Sequence, residues 1–361
     1  MRALTFRAVE EVGVETLPDP TLEHPRDALV RVEFAGLCGS DLHPWSGREP
    51  GLDPGTVMGH EVVGEVVALG KEAGVRAPDE SPPLEVGARV VAPFTTSCGA
   101  CVACARGLTA RCVAGELLGW RSGGRGLHGA QAEFVRIPLA DTTLVRVPDS
   151  IADPALAILA GDILSTALFG AALAEIGEDD VVVIVGCGPV GLLSILAARA
   201  AGARSVVAVD RVPSRLTHAE RFGGIGVALT PEGGIEAARA AVDELTAGWG
   251  ADAAIEAVGS ADATRTAAAL LRPGARLAAV GVHTESHLAL APGEIYDRNL
   301  TYAAGRCSAR HYLPAALDLT ARTPESLASL ISHRLPLSRG PDAYRSFAAR
   351  EEGWMKVLFL P

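Results

Sequence analysis

Residues 181–210 read VVVIVGCGPVGLLSILAARAAGARSVVAVD, and three physical signals in this stretch decide how the chain folds. VVVIVG is an uninterrupted apolar run of buried-strand length. PVGLLSILAARAAG has helical spacing and a closing glycine, and SVVAVD is a second buried strand. Between the first strand and the helix stands Gly186-x-Gly188-x-x-Gly191, and Asp210 follows 19 residues after the last glycine, at the end of the next strand. That context makes the glycines informative. Gly186 permits a tight turn, Gly188 lets the backbone approach a pyrophosphate at the helix N-terminus, and Gly191 allows close helix–strand packing. With Pro189, Val190, Arg211 and Arg215 they form a dinucleotide-binding set. Asp210 would accept hydrogen bonds from ribose hydroxyls and repel a 2′-phosphate, favouring NAD over NADP; Arg211 beside it weakens that preference.

Downstream the rhythm continues: AARAAVDELTAG then ADAAIEAVG, and DATRTAAALLRPG then ARLAAVGV. Alternating strand and helix predict a doubly wound parallel sheet. The alternation ends after NLTYAAG (299–305), and a helical stretch and the short strand KVLFL follow. Upstream, the first 150 residues are rich in glycine, proline and short β-branched runs such as ALVRVEF, VVGEVVALG and ARVVAPF, which predict a mostly β domain. KEAGVRAPDESPPLEVG (71–87) reads as a polar surface loop.

With 361 residues, 48% apolar and 21% charged, the chain has the composition of a globular protein of two domains. A net charge of −11 without a basic run argues against nucleic acid or an anionic membrane surface as partner. The N-terminal MRALTFRAVEEVGVETLPDP carries acids where a secretory segment needs apolar residues, and no window approaches the apolar length of a membrane span. A cytoplasmic protein is the expectation, and there clustered cysteines bind metal more often than they pair.

Four of the seven cysteines fall in CGACVACARGLTARC (98–112). Cys98, Cys101, Cys104 and Cys112 have the spacing C-x2-C-x2-C-x7-C, which suits a closed tetrahedral Zn²⁺ site, with iron–sulfur ligation as the rival. A closed shell leaves no position for substrate, so a working metal must be sought elsewhere. GLCGSDLH (36–43) and VMGHEVVGEV (57–66) supply Cys38, His60 and Glu61. Each is weak evidence alone.

Together, CGSDLH, GHEVVGEV, the four-cysteine lobe, GCGPVG with its distal acid and the closing HRLPL, AYRSF and KVLFL resemble, in order, the zinc-dependent medium-chain alcohol dehydrogenases. LHGAQAEFVRIPLADTTLVRVPD (127–149) is similar to the branch with glutathione-independent formaldehyde dehydrogenases. The resemblance implies a GroES-like catalytic domain over 1–162, carrying the zinc lobe 98–112 and completed by 306–361, a Rossmann NAD-binding domain over 163–305, and two zinc ions per chain. Cys38 and His60 would ligate the catalytic ion, with Glu61 as an exchanging ligand and Asp41 orienting the imidazole. Where many members carry a third, cysteine ligand, this chain has Asp162, four residues before Thr166. Thiolate, imidazole and carboxylate keep the Zn²⁺ site neutral, although Asp162 could instead cap the helix that follows.

By the same resemblance an alcohol takes the open zinc position and gives hydride to nicotinamide. Ser40, the ribose hydroxyl and His43 relay the proton outward, and Phe94, with Trp45 and Trp120, lines the substrate pocket. Cys187 and Cys307 fit neither metal set and read as buried spectators. The partners implied are a small alcohol or aldehyde and further copies of the chain, a homotetramer before a dimer. The rival functions are a zinc-free, NADPH-dependent quinone or enone reductase on the same scaffold, and a non-enzymatic nucleotide-binding protein with structural zinc alone.

Overall fold

In a computed structural model, residues 1–74, 83–230 and 233–361 are described; residues 75–82 of the expected surface loop lie outside that set. The chain divides into two compact units. Met1–Ser165 and Ser308–Pro361 form the first, and Thr166–Cys307 the second.

Among the described residues the second unit holds six strands: Val181–Val185, Ser205–Asp210, Ile225–Ala228, Ala251–Glu256, Leu271–Ala279 and Thr301–Ala304. Numbered along the chain they lie in the order 3-2-1-4-5-6, every neighbour parallel. This is the doubly wound order, with its switch point between the first and fourth strands. Val181–Val185 is buried at every position, because helices cover both faces of the sheet and no side chain can alternate toward water. Gly186 adopts φ +95°, and a Cβ on Gly191 would stand 1.7 Å from the Gly186 carbonyl oxygen. The turn and the helix Pro189–Ala200 therefore meet backbone to backbone.

The first unit is built on a sheet whose path runs Ile331–Pro336, Lys356–Leu360, Ala28–Leu37, Val62–Leu69, Arg89–Ala92 and Val145–Arg146, with Phe134–Ile137 also paired to Ala28–Leu37. The C-terminal strand lies beside the early ones, Val357 opposite Leu37, which draws the segment after 308 back into this unit. Its core includes Leu4, Leu37, Met58, Ile137 and Phe359. A buried network ties three segments: Gln131 Nε2 donates to the Gly36 carbonyl at 2.9 Å, and its Oε1 accepts from the Tyr344 hydroxyl at 2.9 Å. Among the described residues no single helix is long and apolar enough to cross a membrane.

Candidate metal centres and nucleotide site

Strand register brings the first donors together. Ala35 pairs with Val62, so the end of Ala28–Leu37 and the start of Val62–Leu69 share one edge of the sheet. Cys38 follows one strand and His60 precedes the other. Asp162 sits at the break between helices Ala157–Gly161 and Ile163–Leu173, where φ −138° and ψ −78° interrupt the helical path. Its carboxylate turns toward the other two donors instead of capping the second helix. Asp162 Oδ2 is 3.3 Å from Cys38 Sγ and 3.3 Å from His60 Nε2.

Those separations suit a shared ion, because a tetrahedron with metal–ligand bonds of about 2.0–2.3 Å has edges of about 3.3–3.8 Å. The donor set is sulfur, nitrogen and oxygen, as zinc accepts. His60 Nδ1 lies 3.0 Å from Asp41 Oδ1, and Asp41 Oδ2 accepts the Cys38 N–H at 2.9 Å. One carboxylate thus fixes both the imidazole orientation and the backbone of the next donor. Burial opposes charge on His60, but Asp41 and Asp162 hold the imidazole protonated well above its usual range. Burial, then the Asp162 charge, pushes the Cys38 thiol up. A bound cation would displace both protons.

Ser40 Oγ lies 3.2 Å from His60 Nε2, and the Phe94 ring meets the His60 ring edge-on at 6.3 Å. His43 occupies the short helix Leu42–Trp45, and its buried Nδ1 has no hydrogen-bond partner among the described residues. Burial, then the Arg48 charge, lowers its pKa. Trp45 is buried in the core, its ring 6.3 Å from that of Tyr344, and Trp120 packs against the same core.

Glu61 is fully buried beside His60, and its Oε2 is ion-paired with Lys356, also buried. Its Oε1 has no hydrogen-bond partner among the described residues. Burial pushes the Glu61 carboxyl up to about 7, against the pull of Lys356. Lys356 escaped the sequence reading; the signal was a single cation at the head of an apolar strand, KVLFL.

The four lobe cysteines also converge, each with a ligand atom within 4.8 Å of the others. Cys101 Sγ lies 3.6 Å from Cys104 Sγ and 3.9 Å from Cys112 Sγ, close to the edge of about 3.8 Å for a tetrahedral Zn–S shell. Hydrogen bonds from the Cys104 and Val113 backbone pull the Cys101 thiol down to about 6, while burial pushes Cys104 up to about 12; a bound cation would displace the remaining thiol protons. Arg26 anchors the lobe from below: it grips Asp141 with two contacts of 2.9 Å and reaches the Cys98 carbonyl at 3.4 Å. Cys187 and Cys307 are buried and belong to neither cluster.

In the second unit the helix Pro189–Ala200 begins at Gly188 with no side-chain cap, so its first turn presents backbone N–H groups at Val190 and Gly191. Asp210 Oδ2 accepts the Cys187 N–H at 2.6 Å and Oδ1 accepts the Val212 N–H at 2.8 Å, while Arg215 stands 3.8 Å away. The acid therefore holds the phosphate turn while keeping lone pairs for a ribose. Arg211 is exposed beside it.

Residues 24–149 match the alcohol dehydrogenase GroES-like domain, and residues 189–322 match the zinc-binding dehydrogenase family. The chain is 39% identical to zinc-type alcohol dehydrogenase B of Aspergillus flavus, over 99% of this chain and 81% of that protein. It is 35% identical to glutathione-independent formaldehyde dehydrogenase of Pseudomonas aeruginosa over 62% of this chain and 57% of the relative. Among solved structures, alcohol dehydrogenase TADH from Thermus sp. ATN1 aligns with a TM-score of 0.90 at 38% identity, covering 100% of this chain and 99% of that one.

Proposed function

The chain belongs to the zinc-dependent medium-chain alcohol dehydrogenase family, and from that premise we propose that it interconverts a primary or secondary alcohol with its aldehyde or ketone, using NAD. The observation that carries this reading is the convergence of Cys38 Sγ, His60 Nε2 and Asp162 Oδ2 within 4.8 Å of one another. Three donors, where a structural zinc takes four, leave one position for substrate. Cys38, His60 and Asp162 would hold the catalytic ion and the four lobe cysteines the structural one. When bound, zinc supplies the Lewis acidity that lowers the pKa of an alcohol hydroxyl, and NAD supplies the hydride acceptor.

The chain's own residues do the remaining work. Asp41 takes the Nδ1–H of His60 and so leaves the Nε2 lone pair for the metal. Ser40 can accept a proton at Oγ and donate its own, which suits the first member of a relay. His43, kept neutral by burial and by Arg48, offers a ring nitrogen to receive it. Phe94, edge-on to His60, excludes water from that side of the imidazole. Glu61, held by Lys356, is the reserve carboxylate beside the ligand set. Asp210 favours NAD by its charge, since a 2′-phosphate would meet a carboxylate already fixed by two backbone N–H groups. The reading includes a cytoplasmic homo-oligomer, a tetramer before a dimer, acting on small alcohols and aldehydes.

The test is nicotinamide reduction by zinc-loaded protein across primary, secondary, aromatic and polyol alcohols, with NAD⁺ and NADP⁺ in parallel and light scattering for the assembly. Turnover with NAD⁺ on at least one class is expected. Protein with two zincs per chain that reduces neither cofactor with any alcohol would overturn the reading.

A further inference from the structure

A second cluster of titratable side chains stands at the carboxyl ends of the nucleotide-unit strands. Glu256 closes the strand Ala251–Glu256 and is fully buried. Its Oε1 accepts the backbone N–H of Val258 at 2.8 Å and of Gly259 at 2.7 Å. Its Oε2 accepts from His283 Nε2 at 2.9 Å, in the segment that follows the strand Leu271–Ala279. On the other side of the ring, His283 Nδ1 lies 3.2 Å from Glu285 Oε2, and Glu285 Oε1 accepts the Ala261 N–H at 3.2 Å. A carboxylate without solvent is costly unless every lone pair is used, and this one serves three donors from two different turns.

Packing shows what those hydrogen bonds hold. A Cβ on Gly186 would stand 2.4 Å from Val258 Cγ2, and one on Gly281 would stand 2.1 Å from the Gly259 backbone nitrogen. The 257–259 turn is therefore wedged between the phosphate-binding turn and the 280–283 segment, with no slack on either side. In an open α/β sheet a dinucleotide lies in the crevice outside these strand ends, across the switch point. Asp210 belongs to the half built on strands one to three, where the adenosine sits. The turns after strands four and five border the other half.

We propose that Glu256 and His283 are positioning residues that lock the 257–259 turn to the 280–283 segment and thereby set affinity for the nicotinamide half of the cofactor. The proposal rests on the NAD reading above. Neither side chain needs to touch the cofactor; both act through the backbone they hold. His283 is the informative partner, since its side chain is a quarter exposed and can be changed without opening the core.

The experiment measures NADH and AMP binding to the zinc-loaded full chain by calorimetry, in the wild type, His283→Ala and His283→Gln. The glutamine amide can place an N–H near the position of Nε2. For His283→Ala the NADH Kd is expected to rise about tenfold, the effect of losing one charge-assisted hydrogen bond. Its AMP Kd should stay within about twofold, because the adenosine half is separate. His283→Gln should recover most of the NADH affinity. An unchanged NADH Kd in His283→Ala, an equal loss of AMP and NADH affinity, or no recovery by glutamine would each overturn the proposal. If His283→Ala fails to fold, Glu256→Gln is read in its place, since it keeps an acceptor for Val258 and Gly259 but removes the charge facing His283. Wild-type protein that binds neither ligand would instead overturn the NAD reading itself.

Discussion

Glu61 and Lys356 lie 295 residues apart in the chain and meet as an ion pair from which solvent is excluded on both partners. Glu61 is the residue after His60, so the pair adjoins the candidate catalytic ligands. Lys356→Met leaves a buried carboxylate without its cation and should destabilise the protein by about 3–5 kcal/mol, whereas the double variant Glu61→Leu/Lys356→Met should regain most of that. Chemical denaturation of the single and double variants checks this. Equal losses in both would show that packing, not charge, is what the pair contributes.

Asp162→Ala removes one of three donors and should lower the zinc content from two ions per chain to one, abolish turnover and leave the far-UV dichroism unchanged. Asp162→Cys restores an anionic donor and should rebind the second ion. Metal analysis after dialysis reads both outcomes. Two zincs in the alanine variant would remove Asp162 from the ligand set.

The lobe should respond differently. Cys101→Ser breaks the four-sulfur shell, so we expect loss of the structural ion and faster proteolysis within 98–112. The catalytic ion should stay with Cys38, His60 and Asp162, whose side chains belong to another cluster. Fragment mapping with metal analysis distinguishes this from general unfolding, in which both ions leave together.

His43 carries the pH dependence. Burial, then Arg48, lowers its pKa from 6.5, so the folded protein favours the neutral ring. The stability this contributes is present above pH 6.5 and is lost as pH falls through the lowered folded value. Alcohol oxidation should decline over the same acidic window, as the ring loses its acceptor nitrogen. His43→Gln should slow oxidation by about 10- to 100-fold with zinc content intact. A pH–rate profile identical to that of the wild type would exclude His43 from the relay.

What could be read from the sequence was what lies close together along it. The lobe cysteines fall within fifteen positions and the glycine turn within six, so spacing alone states their chemistry. Cys38, His60 and Asp162 are spread over 124 residues, and only resemblance joined them before the strand register did. Glu256 ends one strand and His283 follows the next in the same sheet, and nothing local distinguishes a carboxylate that pins a turn from one that faces water. Trp45 stands beside a site motif in the sequence and packs in the core of the first unit, a placement its neighbours in the chain do not announce. Partner choice over long range is decided by packing, which no short window contains.

The return of Lys356–Leu360 to the strand Ala28–Leu37 has a consequence for biosynthesis. A ribosome delivers Cys38, His60 and Asp162 first, then the whole of 166–307, and only afterwards the strand that lies beside Ala28–Leu37 and carries the counter-ion of Glu61. The nucleotide unit is contiguous and can fold as it emerges, while the metal-site unit must wait with its sheet incomplete. Nascent chains arrested before Lys356, but long enough for 166–307 to have cleared the ribosome, should therefore protect the second unit from protease and leave the first open to cleavage. In the cell, that interval is when the cysteines are most exposed to adventitious metal and oxidant.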